Sequence, residues 1–153
     1  MKTILAPVDF SSASESVAAQ AAALARVLNG RVLLLSVVQP LIIASEFAPP
    51  PDSIAEITSA GEKSAADHLA RVQERLRADS IPVEAIQCKG APVAHIIEQA
   101  EKNAADFIVM GSHGHTALYD LVVGSTTHGV LRRATCPVVI VPRPMQKAAT
   151  ARI

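Results

Sequence analysis

The chain has 153 residues, with 14 Lys+Arg balancing 14 Asp+Glu, so its formal net charge at pH 7 is zero. Hydrophobic residues at 50% and charged residues at 18% exclude a disordered chain. The zero balance lacks the basic footprint of a nucleic-acid binder, and 3% aromatics with no Trp cannot build a base-stacking platform. No apolar run approaches the ~20 residues of a membrane span. The apolar opening from Met1 to Phe10 is too short for an export signal and is interrupted by Asp9. A cytoplasmic location with reduced cysteines is therefore expected. The length suits one domain, here residues 1–143 with a loosely held tail over 144–153, large enough to bury a core without disulfide or metal.

The first apolar run, Thr3 to Val8, closes on Asp9. Ser11 and Ser12 offer an N-cap for an Ala-rich helix that ends at Asn29-Gly30, a helix-terminating pair. Arg31 to Val38 is nearly all apolar and reads as a strand buried on both faces. Pro40 ends it, and the irregular stretch to Pro49-Pro50-Pro51 is long for a strand–helix connection, which marks a surface excursion or a lid. A helical pattern follows from about Asp52 to Asp79, with Leu69, Val72 and Leu76 at core spacing and Gly61 expected to break or bend its first half.

A third strand spans Pro82 to Cys88 and ends at Lys89-Gly90. Pro92 suits the first turn of the next helix, whose inner face is Ile96, Ile97 and Ala100. Asp106 to Met110 is a fourth strand running into Gly111. A short helix starts at Ser125 and reaches Arg133, and Cys136 to Val141 is the fifth strand. Strands alternating with helices give an α/β three-layer sandwich around a parallel sheet, since each crossover is right-handed. Both common strand orders, flavodoxin-like and Rossmann-like, reverse beside the first strand, so a ligand is expected outside the ends marked by Asp9 and Gly111.

At that place stand Gly111-Ser112-His113-Gly114 and, nine residues on, Gly124-Ser125-Thr126-Thr127. Glycines let backbone N–H groups approach a ligand closely, and a helix opening at Ser125 presents unpaired N–H groups and a positive dipole end to an anion. The three hydroxyls add donors, and together these features form a phosphate cradle. No Gly-Lys-Ser/Thr occurs, and no Lys or Arg lies between Lys102 and Arg132. Phosphates would therefore be held by amides, hydroxyls and a divalent cation, and hydrolysis is expected to be slow or absent. Asp9 can accept hydrogen bonds from a ribose or adenine, bind a metal, or cap the following helix.

The spacing Gly-x2-Gly-x9-Gly-Ser, followed by Thr126 and Thr127, resembles the ATP-binding signature of the universal stress protein superfamily. Ile4 to Ser11 is similar to that family's opening strand, and Cys136 to Pro142 to its closing strand. The resemblance implies a five-stranded parallel sheet in the order 3-2-1-4-5, a Rossmann-like fold of the adenine nucleotide α-hydrolase type. It further implies ATP, or AMP or ADP, with Mg²⁺ or Mn²⁺ bridging the phosphates. Asp9 would meet ribose or adenine, Val37 would offer its backbone to the adenine edge, and Pro7, Val8 and Met110 would line the base pocket. Gly111, His113 and Gly114 would bracket ribose and phosphate, while Gly124, Ser125, Thr126 and Thr127 would hold the phosphates. Members of this family act in stress response and regulation and are typically homodimers paired through their fifth strands, here Val138 to Val141.

Other readings are poorer fits. A phospho-receiver needs an acidic pair at Asp9, an Asp where Cys88-Lys89-Gly90 stands and a Lys where Pro142-Arg143 stands. Ser112-His113 are adjacent and lack the Gly-x-Ser-x-Gly elbow of a hydrolase. A flavodoxin-like FMN protein wants aromatic rings, and Tyr119 alone is near. The remaining enzymatic alternative is a slow ATPase or an autophosphorylating protein with acceptors near Ser125. His113, His115 and His128 lack the Cys or carboxylate spacing of a zinc site. His68 and His95 read as surface or interface residues on helices. Arg132, Arg133, Arg143, Lys147 and Arg152 leave the end of the chain basic, which a solvated face explains.

Overall fold

The computed structural model describes residues 1–40, 49–113 and 123–143. Five apolar runs become strands: β1 (Thr3–Pro7), β2 (Arg31–Val38), β3 (Val83–Lys89), β4 (Phe107–Gly111) and β5 (Val138–Val141). Four helices separate them: α1 (Ser14–Leu28), α2 (Pro51–Ala78), α3 (Pro92–Lys102) and α4 (Ser125–Arg133). The sheet has the order β3-β2-β1-β4-β5 and every pairing is parallel. Leu5 at its centre pairs with Leu33 on one side and Ile108 on the other.

The two-residue period of the strands divides the core into two layers. Ile4, Ala6, Val32, Leu34 and Val109 face α1 and α2, whose Ala21, Ala25, Leu69 and Leu76 complete that cluster. Leu5, Leu33, Leu35, Ile108 and Met110 face α3 and α4, meeting Ile96, Ile97, Ala100 and Val130. Both faces of β1 and β2 are covered, which is why their sequences are apolar without alternation. The buried side of α1 is largely alanine, so this helix can lie close to the sheet without aromatic filling.

Three local expectations are corrected. The N-cap of α1 is Ala13, not Ser11 or Ser12, and it makes no side-chain cap bond; the Asp9 carboxylate takes the Ser11 N–H and the Ser14 hydroxyl instead. Gly61 does not break α2, which is one helix from Pro51 to Ala78. Its helix-forming neighbours outweigh a cost of about 1 kcal/mol for one exposed glycine. The fifth strand begins at Val138, two residues after Cys136, because Pro137 has no N–H to give the ladder. Asn29 ends α1 in the left-handed conformation, φ 50° and ψ 49°, as the Asn-Gly pair predicts. The tail over 144–153 and most of the excursion between Pro40 and Pro51 lie outside the described residues.

Candidate functional site

Because β1 is flanked by β2 and β4, the chain winds away from it in opposite directions, opening a crevice above the carboxyl ends of β1 and β4. A cavity of about 330 Å³ lies there, within the range of small-ligand sites. All the described residues singled out from the sequence as ligand contacts line it; Gly114, along with His115 and Tyr119, lies outside the described residues.

Its apolar part comes from strand ends. Pro7 and Val8 close β1, Val37 and Leu35 belong to β2, and Met110 to β4. The Val8 N–H donates to the Leu35 carbonyl at 2.8 Å, extending the β1–β2 ladder to the rim. Asp9 follows, and its Oδ1 accepts the Ser11 N–H at 3.0 Å and the Ser14 hydroxyl at 3.2 Å. This carboxylate is therefore fixed in direction by its own turn.

The opposite wall is built by β4 and the start of α4. Ser112 N–H donates to the Val141 carbonyl, and Gly124 N–H donates to the Ser112 carbonyl, both at 2.9 Å. The Thr127 hydroxyl donates to the Gly111 carbonyl at 2.8 Å. His113 Nδ1 lies 3.0 Å from the Ser112 hydroxyl. A Cβ on Gly111 would sit 3.2 Å from the Ala13 Cβ and 3.3 Å from the His113 carbonyl, so glycine keeps the two walls close. Gly124 caps α4 without any side-chain bond. The first-turn N–H groups at Ser125 and Thr126 thus sit beside their own hydroxyls at the positive end of the helix.

Asp9 and His113 are the ionisable side chains among the described lining residues, which include no Lys, Arg, Phe, Tyr or Trp. The arrangement can hold an anion through neutral donors, but its described lining residues bring no Lys or Arg to a leaving group. Cys88 and Cys136 belong to opposite sheet edges and are free thiols. Burial pushes both thiols up, with Glu98 adding to the effect at Cys88, so neither is a ready nucleophile.

The cavity also includes residues that the sequence does not single out as ligand contacts: Ser11, Ser14, Gln39 and Pro92. Pro92 carries a signal, since a helix that starts after a neighbouring strand in such a sheet also opens toward the crevice. Ser14 and Gln39 carry none, because their convergence is tertiary.

Residues 1–142 match the sequence model of the Universal stress protein family. The chain belongs to that family. It is 34% identical to Universal stress protein A homolog 1 of Coxiella burnetii, over 92% of this chain and 95% of that one. Against Universal stress protein MJ0531 of Methanocaldococcus jannaschii it is 30% identical, over 95% of this chain and 85% of the other. Among solved structures, universal stress protein UspA from Lactobacillus plantarum superposes with a TM-score of 0.79 at 26% identity, covering 92% of this chain and 97% of its own. Two further universal stress proteins share the fold and were solved with nucleotides. One, in complex with cAMP, has TM-score 0.64 and 22% identity over 94% of this chain and 98% of its own. The other, from Archaeoglobus fulgidus in complex with dAMP, has TM-score 0.61 and 21% identity over 92% and 96%.

Proposed function

We propose that this universal stress protein binds an adenine nucleotide in the crevice between Asp9 and the start of α4, and acts as a regulatory binding module. The observation that carries this reading is the meeting in one cavity of an apolar base-sized floor, a fixed carboxylate and an uncapped helix N-terminus rich in hydroxyls. Pro7, Val8, Val37 and Met110 offer the adenine an apolar pocket, Asp9 accepts from ribose or adenine, and Gly111 and His113 border the ribose and first phosphate. Gly124, Ser125 and Thr126 receive the remaining phosphates, and Thr127 adds its backbone N–H, its hydroxyl being given to the Gly111 carbonyl. The nucleotides held by the two related structures support the adenine class. ATP is the form that uses the whole cradle.

Among the described residues no group of three or more His, Cys, Asp or Glu could hold an ion. Mg²⁺ or Mn²⁺ would therefore arrive with the nucleotide and be held by its phosphate oxygens, with the Ser and Thr hydroxyls as the fitting protein donors. Without a Lys or Arg in the described lining, hydrolysis falls outside the ordinary enzyme range. Pairing of two copies along β5 completes the proposal, since that sheet edge exposes Val139 and an apolar edge strand favours a partner. A cytoplasmic location belongs to the same proposal. No described helix is long and apolar enough to cross a membrane.

The test is calorimetric titration of ATP with Mg²⁺ into the wild type and Asp9→Ala, with turnover measured on the same samples. Binding that weakens at least about tenfold in the variant supports the reading. Absence of wild-type binding overturns it, and steady turnover above about 1 s⁻¹ replaces the binding module with an ATPase.

A further inference from the structure

Phe10, the residue between Asp9 and Ser11, has φ 59°, in the left-handed region that a bulky aromatic side chain normally avoids. That conformation reverses the chain immediately after β1, which lets the Ser11 N–H turn back onto the Asp9 carboxylate at 3.0 Å. An unfavourable backbone conformation persists only where its surroundings hold it. Here the Phe10 ring stacks on the His68 imidazole, with ring centroids 5.0 Å apart and planes inclined by 27°, and packs against the sheet cluster shared by α1 and α2. His68 is itself oriented, since its Nδ1 lies 3.0 Å from the Ser64 carbonyl one turn back, a contact that places the ring proton on Nδ1. The next residue, Leu69, is buried in the core and anchors that part of α2.

Neither Phe10 nor His68 lines the cavity. We infer that the Phe10–His68 stack is a positioning pair for the nucleotide site: α2, through His68, holds the strained turn that aims Asp9 and brings Ser11 and Ser14 to the cavity wall. The inference rests on the nucleotide-binding reading for its functional consequence. Its structural consequence, the closed Asp9–Ser11 turn, stands apart from any ligand. Removing the His68 ring loosens the turn without touching the cavity, so affinity falls while the fold, which His68 does not help to bury, is retained.

The experiment compares wild type, His68→Ala, His68→Phe and Phe10→Gly in two measurements. ATP·Mg²⁺ titration is expected to show affinity lowered about 2- to 30-fold in His68→Ala, retained in His68→Phe, which restores a ring, and lowered in Phe10→Gly although glycine fits the backbone. Amide hydrogen exchange in the nucleotide-free protein is expected to show faster exchange at Ser11 in His68→Ala and Phe10→Gly only, with the global unfolding midpoint of His68→Ala close to wild type. Equal affinity and equal Ser11 exchange in wild type and His68→Ala overturn the positioning role. Wild type that fails to bind ATP overturns the binding reading instead, and the Ser11 exchange rates then decide whether the stack holds the turn.

Discussion

Thr127 donates its hydroxyl to the Gly111 carbonyl at 2.8 Å, tying the first turn of α4 to the last residue of β4. Thr127 is 3% exposed, so its hydroxyl has no access to bulk water. Thr127→Val keeps the shape and removes the donor from the half-buried Gly111 carbonyl. The expected cost is about 0.5–1.5 kcal/mol of stability, read as a lower urea midpoint, together with weaker ATP binding because the two walls of the cavity lose their tie. Thr127→Ser keeps the hydroxyl and should recover most of both; recovery of neither would show that the methyl packing matters and the hydrogen bond does not.

Ser11 predicts the opposite sign. Its Oγ is buried without a hydrogen-bond partner among the described residues, although the residue lines the cavity. Ser11→Ala removes a polar atom that gains nothing in the free protein and should raise stability by about 1 kcal/mol. If a bound nucleotide recruits this hydroxyl, the same variant shows a smaller ligand-induced rise in melting temperature than the wild type. A lower melting temperature for nucleotide-free Ser11→Ala would contradict the assignment of an unpaired hydroxyl.

Far from the cavity, Asp106 links the amino terminus to β4. Its carboxylate accepts the Lys2 ammonium and the Thr3 N–H, each at 2.8 Å. The Lys2 bond first, and the Thr3 N–H second, hold the carboxyl below its ordinary value near 3.8. A carboxylate depressed on folding stabilises the native state fully above its unfolded value and loses that contribution as pH falls through the folded one. Asp106→Asn should therefore melt lower than wild type near neutral pH, and the gap should close below about pH 4. A gap of constant size across that range would trace the effect to geometry alone.

Much of this is legible in the sequence because the signals are local. Arg31 to Val38 reads as a doubly buried strand from its unbroken apolar run, and it is one. Gly111, Gly124 and Ser125 can be brought together because parallel sheets of this kind reverse at a known place and both segments follow or precede an element end. The start of α1 misleads because Ser11 and Ser12 look like caps, whereas both lie in a turn that Asp9 organises through the Ser11 N–H and the Ser14 hydroxyl, and the helix begins only after Ala13. Ser14, Gln39 and the Phe10–His68 stack are invisible for a different reason: they depend on how α1, β2 and α2 pack, which no spacing encodes. Gly61 shows the limit of propensity, since a residue that interrupts isolated helices is carried through by the helix around it.

Two glycine-to-alanine substitutions separate backbone need from mere tolerance. Gly30 follows the left-handed Asn29, and its N–H donates to the Ala25 carbonyl at 2.8 Å. A Cβ there would lie 2.6 Å from the Lys2 carbonyl and 2.9 Å from the Ile4 Cδ1. The carbonyl is fixed, because it accepts the Arg31 N–H at 2.7 Å where β1 and β2 begin to pair. Gly30→Ala must therefore push the ends of two central strands apart, and a loss of about 1–3 kcal/mol is expected. Gly61 sits on the exposed side of α2, and a methyl group there would have no atom within 4 Å. Gly61→Ala should instead gain about 0.5–1 kcal/mol by raising helix propensity and reducing the freedom of the unfolded chain. Urea denaturation of the two variants beside the wild type measures both signs at once. Equal midpoints for the two would mean that the β1–β2 ends yield freely, which the Lys2–Arg31 hydrogen bond argues against.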